Sequence, residues 1–551
     1  MSHFINHTWI AKLGRLAAAA LALLICMTAQ AAAPGITGGN STPHFDLVAA
    51  AERISQPDGA SIYSWGYGCH TAPAGFSPAA IQSSPATAGV ALAVNVSCPT
   101  MQIPGPTLIV HQGDTVTVTL TNNLPAAAGN TSILFPGFQV TTSGGTPGLL
   151  TQEAPNGGSV TYTFMATNAG THSYYSGTQG DLQVEMGLYG AIIVLPTTVP
   201  AGCRAIGATL PDGQVDFRNA AAAYNHGATC YDREYLFQFS EIDPAIHQQA
   251  EQQAGMACTQ ATGCMDILTE LYHPAYFMIN GRSMPDDMDP NYAMQYPHQP
   301  YNGNPHMHPG ELVLLRIIGT GRWQHPFHEH GNHVRILARD GNLILSQTAS
   351  ADPMKTLAGP LLFTTTTTPG ETMDGIFYWT GRGLNWDVYG HAATGPGSVY
   401  NLDPSDPKYA AYNGKPVVCI PDANGYYTAD PMAPNYYEWC ADHNKALESH
   451  PFGTVASGGP VTLPDANIFT NGAWYGGSPY LGPDATIRAV GATGSTPPSG
   501  TIANPPTSEA GFAFMWHSHN EREITTNNIF PGGMMMMMLV DPQSFVINEA
   551  N

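Results

Sequence analysis

The sequence is short of charged residues, and of positively charged residues in particular. Only 11% of its 551 residues are charged, and 18 lysines and arginines stand against 40 aspartates and glutamates, which gives a formal net charge of -22. A surface of that sign repels nucleic-acid phosphates and anionic lipid headgroups, and it attracts cations and basic partners. We therefore expect no nucleic-acid partner, whereas metal ions are plausible partners on charge alone.

Motifs that indicate nucleotide-dependent or hydrolytic chemistry are also missing. The chain has no P-loop, no G-x-G-x-x-G segment after a strand and no G-x-S-x-G nucleophile elbow. Beyond the N-terminal region, no apolar run reaches the roughly 20 residues that a membrane-spanning helix needs. These absences give kinases, nucleotide-binding dehydrogenases and serine hydrolases no support, and they predict no membrane insertion.

The N-terminus has the pattern of a secretory signal. Lys12 and Arg15 precede an apolar run from Leu16 to Met27, and Ala29-Gln30-Ala31 then forms an A-x-A cleavage site. Residues 1–31 are therefore predicted to be a Sec-type signal peptide. The mature protein is expected outside the cytoplasm, either secreted or periplasmic.

Removing that signal also removes Cys26 and leaves eight of the nine cysteines. An even number in an exported protein favours disulfide bonds over free thiols. Sequence alone leaves many pairings open, and the simplest joins neighbours along the chain: Cys69–Cys98, Cys203–Cys230, Cys258–Cys264 and Cys419–Cys440. With all eight paired, no thiolate remains as a metal ligand.

Abundant glycine and proline with few charges favour an all-β protein. Threonine alternates with apolar residues from Thr115 to Leu120, the pattern of a half-buried antiparallel strand, and similar runs recur in both halves of the chain. We expect one β-sandwich domain at 40–200 and a second at 225–545. Residues 32–60 are expected to form a loose arm, with the first strand beginning at Tyr63. Residues 385–505 read as a long irregular insertion, with a separate small domain as the alternative.

Two His-x-His steps carry the strongest chemical signal. In a strand, side chains two residues apart point to the same face, so His328 with His330, and His517 with His519, can each aim at one point. Imidazole nitrogen suits copper, zinc and iron, and four converging imidazoles would form a transition-metal site. The competing interpretation is that these are surface histidines on β-strands.

Around these histidines the chain resembles the multicopper oxidases, which are built from cupredoxin β-sandwiches. The segment His325–Gly331 reads HPFHEHG and resembles the family's H-P-x-H-L-H-G, while Trp516–His519, followed by Pro531–Met535, resembles its H-C-H…G-M-M ending. The first half resembles the family at Gly105–Ile109 and at Gly187–Val194. The resemblance implies an all-β fold of two cupredoxin-like Greek-key sandwiches and copper as cofactor. It also implies metal ligands at His328, His330, His517 and His519, with His325 and His333 as less certain members.

The sequence departs from this family at the positions of its blue copper. That copper needs a cysteine thiolate between two histidines, and Ser518 stands there instead. Glu523 occupies the place of the later histidine. We therefore predict no blue copper. His325 is then either the remaining ligand of a lost copper site or a structural, hydrogen-bonded histidine.

The copper cluster of the family also draws histidines from the first domain, and here they are missing. Ile133–Gly137 replaces the first of those motifs, and Tyr175 and Gly177 stand where histidines of the second should fall, although His172 lies nearby. A complete cluster from one chain is therefore not expected. A trimer, as in some two-domain relatives, is the arrangement that could complete a site between chains.

Three further features of the sequence could take part in metal chemistry. His306 and His308 form a third His-x-His pair that could serve as an auxiliary copper site. The methionine run from Met534 to Met538 could bind Cu(I) through thioethers, but alternation in a strand favours core packing for about half of it. The glutamates beside the histidines are expected at the surface unless they orient a ligand; these are Glu329, Glu521 and Glu523.

Two functions follow from the sequence. The first is an exported copper-dependent oxidoreductase of multicopper oxidase type with a reduced metal site, acting on a metal ion or a small-molecule reductant. The second is a non-catalytic cupredoxin-fold protein that binds copper or serves as a structural or assembly subunit. The missing thiolate favours the second function, and the retained histidine pairs favour the first.

Overall fold

The fold is taken from a computed structural model of the chain. It describes residues 32–39, 42–79, 81, 97–207, 217–308, 311–346, 357–379, 477–480, 511–541 and 547. The predicted signal peptide, most of the predicted insertion, and the Cys419–Cys440 pair lie outside the described residues. Of 477–480 only the strand is described.

Two five-stranded sheets form the first half of the described chain. Their orders are β11-β12-β5-β1-β4 and β3-β2-β6-β10-β7, and β8 pairs with β9 apart from them. The strands are β1 (Gly35–Thr37), β2 (His44–Ser55), β3 (Ser61–Cys69), β4 (Gly75–Ser77), β5 (Leu108–His111), β6 (Thr115–Asn122), β7 (Val140–Gly144), β8 (Thr146–Pro147), β9 (Gln152–Glu153), β10 (Ser159–Met165), β11 (Gly170–Tyr175) and β12 (Tyr189–Leu195).

The second half builds a seven-stranded and a six-stranded sheet from its described residues. The first has the order β14-β13-β16-β22-β18-β19 with β20 beside β18, and the second has the order β15-β25-β24-β17-β21 with β23 beside β24. The strands are β13 (Arg233–Ile242), β14 (Tyr276–Ile279), β15 (His306–Met307), β16 (Leu312–Gly319), β17 (His325–Glu329), β18 (Val334–Arg339), β19 (Asn342–Leu343), β20 (Leu361–Leu362), β21 (Thr364–Thr367), β22 (Thr372–Tyr378), β23 (Gly477–Tyr480), β24 (Gly511–Ser518) and β25 (Met535–Val540).

Helix is sparse among the described residues. There are two short α-helices, α1 (Gly180–Gln183) and α2 (Pro244–Gln253), and single 3₁₀ turns at Ala126–Ala128 and Asp286–Met288. The Asp243 side chain accepts a hydrogen bond from the Ala245 N–H and caps α2, and Pro244 at the first helical position needs no partner for a missing N–H. The predicted all-β, cupredoxin-like class is confirmed.

The second sandwich is held by an apolar layer between its two sheets. Phe239, Ile317 and Phe377 from one sheet meet Trp516 and Met536 from the other, all of them almost completely buried. Burying a side chain of this size stabilises the fold by roughly 1.5–3 kcal/mol relative to leaving it in water. This layer fixes the spacing of the sheets, and thereby the position of the histidine strands.

The prediction of a loose arm before residue 60 is wrong. Residues of that segment form β1 and the twelve-residue β2, which pairs with β3 on one side and with β6 on the other. Phe45, Leu47 and Ala49 alternate into the core, so the periodicity was present but was masked by the polar residues between and after them. The domain boundaries at 40–200 and 225–545 stay a prediction.

Three of the four predicted disulfides are confirmed in the described residues. They are Cys69–Cys98, Cys203–Cys230 and Cys258–Cys264. The first is buried in the core of the first sandwich. Cross-links of this kind are worth a few kcal/mol each, mainly by restricting the unfolded chain.

The two halves of the chain meet through a buried polar cluster. The fully buried Arg316 on β16 pairs with Glu234 and Asp374, and its Nη1 donates to the Thr171 hydroxyl of the first sandwich at 3.0 Å. The Tyr224 hydroxyl, from the connecting segment, also donates to Asp374. Removing one member would leave a buried charge without compensation, so this cluster holds β11 against the second sandwich. The alanine run that ends at Tyr224 is buried in this contact.

No helix in the described ranges combines the length and the apolarity needed to cross a membrane.

Candidate metal centre

The two His-x-His steps lie on adjacent antiparallel strands. In the register of β17 with β24, His328 is directly opposite His517, and Phe327 is opposite Ser518. Because side chains alternate, Phe327 and Ser518 face the core while the histidines share the other face. Two residues after the end of β17, Gly331 has a φ of +101°, and a Cβ there would come within 2.8 Å of the Phe514 ring, so this turn after His330 requires glycine.

The four imidazoles converge as the strand pattern predicts. Ring centroids of His328 lie 4.8 Å from those of His330, 5.6 Å from His517 and 4.9 Å from His519. His330 and His517 are 5.1 Å apart, and His517 and His519 are 5.3 Å apart. A pair from each strand therefore forms one cluster, which we call the histidine cluster.

The donor atoms of this cluster fit a transition metal in type and, for one pair, in spacing. The Nε2 atoms of His330 and His517 are 3.2 Å apart and share a hydrogen bond in this structure. Two nitrogens bound to one ion at roughly 2 Å in tetrahedral geometry lie about 3.3 Å apart, so an ion could replace that hydrogen with little movement of this pair. Within the described part of the chain, no group of three or more His, Cys, Asp or Glu side chains has a complete metal-binding arrangement as it stands. The other two rings would have to rotate to join that pair on one ion.

Burial favours the neutral form of two rings of the cluster, and neutral imidazole is the form that binds metal. Desolvation, reinforced by the neighbouring imidazoles, lowers the pKa of His328 to about 3, and burial also lowers the pKa of His517. The Nδ1 of His328 lies 2.9 Å from the Thr364 hydroxyl, and the Nδ1 of His517 lies 2.7 Å from the Ser518 carbonyl. These contacts orient the rings. The side chain of His519 is about half exposed and borders solvent.

His333 lies beside the cluster. Its ring packs edge-on against Phe363 at 4.9 Å between centroids, and Phe363 in turn contacts His328 at 5.6 Å. Its backbone N–H donates to the Asn332 side chain. His333 and His328 thus both contact Phe363, and we do not count His333 in the histidine cluster.

His325 has other partners and does not join the cluster. It is fully buried, with its Nε2 at 3.0 Å from Glu241 and its Nδ1 at 2.9 Å from Glu523. Hydrogen bonds to these carboxylates outweigh desolvation and raise the pKa of His325 to about 9. The Nε2 of His325 donates to Glu241 and its Nδ1 forms an ion pair with Glu523, so we propose a structural imidazolium here instead of a metal ligand.

The expectation that the flanking glutamates lie at the surface is wrong for two of the three. Glu523 is fully buried and accepts a 2.5 Å hydrogen bond from the Ser518 hydroxyl. Glu329 is buried between the sheets, accepts from the Thr365 hydroxyl, and has its pKa raised by burial to about 8. Glu521 is exposed, as expected. The strand alternation that places His328 and His330 outward could have placed Glu329 inward.

No first-half histidine is recorded in contact with the histidine cluster among the described residues. Tyr175 ends β11 and pairs in register with Tyr189, and Gly177 lies against Leu134. His172 is buried beside Phe138, with its Nε2 at 3.1 Å from the Asn168 carbonyl.

The third histidine pair and the methionine strand have structural contacts. The Nδ1 of His306 lies 2.6 Å from Asp541, whereas the Nδ1 of His308 lies 3.1 Å from Glu311. The two rings are thus held by different carboxylates. Met534, Met536 and Met538 belong to the apolar layer of the second sandwich, in agreement with the predicted core packing.

Comparison with known proteins gives matches in the first half of the chain. Residues 85–198 match the family model for multicopper oxidases. A multicopper oxidase from Talaromyces pinophilus is 37% identical over 98 residues, covering 17% of this chain and 15% of that protein. A laccase from Botryotinia fuckeliana is 37% identical over 97 residues, covering 16% of this chain and 20% of that protein. The matched part thus spans a fifth or less of these curated relatives.

Solved structures with similar folds extend over more of the chain. The multicopper oxidase mgLAC aligns with 92% of this chain and 88% of its own, at 15% identity and a TM-score of 0.42. A blue copper oxidase from Nitrosomonas europaea aligns with 90% and 85%, at 15% identity and a TM-score of 0.41.

The fold and the histidine cluster define a cupredoxin-like protein with the donor groups of a transition-metal site. Residues 85–198 are similar to the multicopper oxidases, and copper is the cofactor that this similarity indicates.

Proposed function

We propose that this chain is an exported copper-dependent oxidoreductase of multicopper oxidase type that works with a reduced metal site. The observation that carries the proposal is the convergence of four imidazoles from two distant segments, with the Nε2 atoms of His330 and His517 only 3.2 Å apart. Surface histidines on unrelated strands would have no reason to gather in this way.

The ligands in this proposal are His328, His330, His517 and His519. Copper bound there supplies one-electron redox chemistry. The chain supplies neutral imidazoles, since burial lowers the pKa of His328 and His517 and keeps protons from competing for the ring nitrogens. The Thr364 hydroxyl and the Ser518 carbonyl fix ring orientation, and half-exposed His519 leaves the site open on one side.

The substrate class in this proposal is a metal ion or a small-molecule reductant. The net charge of -22 supports a cationic substrate, because it raises the local concentration of cations near the surface. The signal pattern at residues 1–31 and the three disulfides support a location outside the cytoplasm, either secreted or periplasmic. A trimer that completes the site from a second chain remains part of the proposal.

The second candidate is a copper-binding protein without catalytic activity. Two observations favour it: the core-facing Ser518 hydroxyl in place of a thiolate, and the carboxylate-bound His325 in place of a metal ligand. Without a thiolate, a low-energy route for electrons between a surface reductant and the histidine cluster is lost.

Copper loading followed by oxygen-uptake measurements distinguishes the two candidates. The oxidoreductase is expected to bind copper and to consume oxygen with a phenol or a reduced metal ion. A His517→Ala variant should lose both properties, whereas His70→Ala, which alters a half-exposed histidine of the first sandwich paired with Asp46, should keep both. Copper binding without oxygen uptake would support the second candidate, and no copper binding would refute both copper-dependent roles and leave only a structural or assembly role.

A further inference from the structure

Opposite the histidine cluster, on the core side of β24, a row of buried polar groups crosses between three chain segments. The His325 ring of β17 lies between Glu241 of β13 and Glu523 of the turn after β24. All three side chains are at most 2% exposed. We call this arrangement the carboxylate–imidazole clamp.

The clamp continues from the second sandwich to the first. The Tyr272 hydroxyl lies between two carboxylates, 3.3 Å from Glu241 and 2.6 Å from Glu185. Glu185 follows α1 in the first sandwich and accepts from the Asp243 N–H at 2.7 Å. The backbone N–H groups of Arg322 and Trp323 donate to Glu241 at 2.7 and 2.9 Å. The carboxylates are thus fixed on one side by backbone donors.

At its other end the clamp organises the turn that carries two members of the histidine cluster. The Glu523 carboxylate accepts from the Ser518 hydroxyl at 2.5 Å and from the Asn520 amide at 2.8 Å. The Asn520 N–H also donates to the Ser518 hydroxyl at 3.2 Å. Ser518 stands between His517 and His519, so Glu523 fixes the residue that sets the direction of both rings.

A buried carboxylate keeps this geometry only when its charge is balanced. Two carboxylates flank a single imidazole, and the proton on that ring lets both oxygens approach it to about 3 Å. With a neutral ring, one nitrogen would carry no proton and would face a carboxylate across a repulsive contact. The clamp therefore depends on one proton.

We propose that His325 is a positioning residue, which as an imidazolium between Glu241 and Glu523 holds the 517–523 turn and thereby aims His517 and His519. The role it supports rests on the proposed function, whereas the clamp itself can be tested without metal. In this chain the proton on His325 joins the three segments.

The charged and titratable groups around the ring agree with this assignment. Hydrogen bonds and charge from Glu241 and Glu523 raise the pKa of His325 to about 9 against desolvation. Desolvation raises the pKa of Glu185 to about 8 and raises the pKa of Tyr272 and of Tyr189, so these groups are neutral near pH 7. The Arg322 guanidinium lies 4.3 Å from the centre of the Tyr272 ring and adds a positive charge at the far end.

The first test uses metal-free full-length protein and hydrogen exchange. Glu523→Gln keeps the shape of the side chain but removes its charge, and the exchange rate of amides in 517–523 is expected to rise about tenfold. Glu521→Gln, which removes an exposed carboxylate from the same turn, is the matched control and should change exchange less than twofold. In the wild type, the same amides should become faster, after correction for intrinsic exchange, as pH rises through about 9.

A second measurement observes the protonation state of the His325 ring directly. Nitrogen NMR of histidine-labelled wild-type protein at pH 7.5 should show one imidazolium signal that is absent in His325→Gln. A neutral His325 ring would overturn the proposal, as would equal exchange of the turn in wild type and in a folded Glu523→Gln variant. If that variant does not fold, the NMR result and the wild-type pH profile decide.

Copper then separates this inference from the proposed function. Glu523→Gln is expected to bind Cu(II) at least about tenfold more weakly, with an altered EPR spectrum, as for other outer-shell changes. If wild type binds no copper, the proposed function fails, while exchange and NMR still decide the clamp.

Discussion

At position 518 a hydroxyl faces the core between two histidines that face the other way. Its hydrogen is committed to Glu523, so it offers neither a thiolate nor an open position beside His325. The intense colour of blue copper arises from a cysteine thiolate on Cu(II). We therefore propose that the wild-type residues at this place hold a proton and form no coloured copper centre.

This account predicts that copper-loaded wild-type protein shows only weak visible absorption. The double variant Ser518→Cys with Glu523→His restores a thiolate and a second imidazole beside His325, and it should gain a strong visible band on Cu(II) loading. Ser518→Cys alone keeps the carboxylate on His325 and serves as the control, with little band expected. An intense band in copper-loaded wild type would contradict the assignment of Ser518 and His325.

The histidines of the cluster are also expected to contribute unequally to copper affinity. His330 and His517 already have the spacing of two ligands on one ion, whereas His519 is half exposed and is held less tightly. His330→Ala should therefore weaken copper binding by more than the roughly 10- to 100-fold that outer-shell changes cost, and by more than His519→Ala does. Calorimetric titration with Cu(II) measures this order, and an equal or reversed order would contradict it.

At the scale of strands, the sequence predicts which residues share a face but not which strands are neighbours. The His-x-His spacing places His328 with His330 and His517 with His519 without reference to a structure. Their convergence depends on the register that sets His328 opposite His517. That register is fixed by long-range packing of Phe327, Phe514 and Trp516, which no local pattern contains.

The same limit explains the residues that were missed. Glu523 reads as a surface residue because charged side chains are seldom buried without partners, and its partner His325 is far away in the chain. Glu241 is one of several polar residues in β13, so nothing local marks it as a partner of His325. The first two strands escape prediction for a different reason. The alternation of Phe45, Leu47 and Ala49 is short, and the alanines and charged residues that follow it weaken the strand pattern.

Substitutions in β25 can test whether its methionines pack in the core or transfer metal ions. Met536 is fully buried among aromatic residues, whereas Met537 is only partly buried on the opposite face. Met536→Ala should lower the free energy of unfolding by about 2–5 kcal/mol, and Met537→Ala by less than about 1.5 kcal/mol. Urea unfolding gives both values. If Met537→Ala instead weakened copper loading and left stability unchanged, the run would act in metal transfer.

For the whole molecule, the buried groups at the contact between the two sandwiches predict a loss of stability at alkaline pH. Burial raises the pKa of Glu185 from its ordinary 4.5 to about 8, and its carboxylate partners raise the pKa of His325 from 6.5 to about 9. In both cases the folded protein holds its proton more tightly than the unfolded chain. Their contribution is therefore complete below the unfolded values and is lost as pH rises through 8 and 9.

Thermal unfolding between pH 6 and pH 10 measures this loss. The midpoint is expected to fall toward pH 10 in wild type, and Glu185→Gln, which cannot ionise, should reduce the fall. Glu251→Gln changes a half-exposed carboxylate paired with Arg53 and should leave the profile as in wild type. A midpoint that rises with pH, or a Glu185→Gln profile identical to wild type, would contradict the assigned burial.

The class of the fold, three disulfides and the shared face of each His-x-His pair were all within reach of the sequence. The role of residues 385–505 was not, because a segment rich in glycine, proline and asparagine has no periodicity from which to predict contacts. The functional account therefore rests on the second sandwich and its histidine cluster.

EPR of protein loaded with one equivalent of Cu(II) shows whether the histidine cluster binds copper. We expect a mononuclear signal with hyperfine coupling to several imidazole nitrogens, lost in a folded His330→Ala/His517→Ala variant and retained in His70→Ala. Wild-type protein whose spectrum shows only unbound copper, or a signal unchanged by the double substitution, would contradict it.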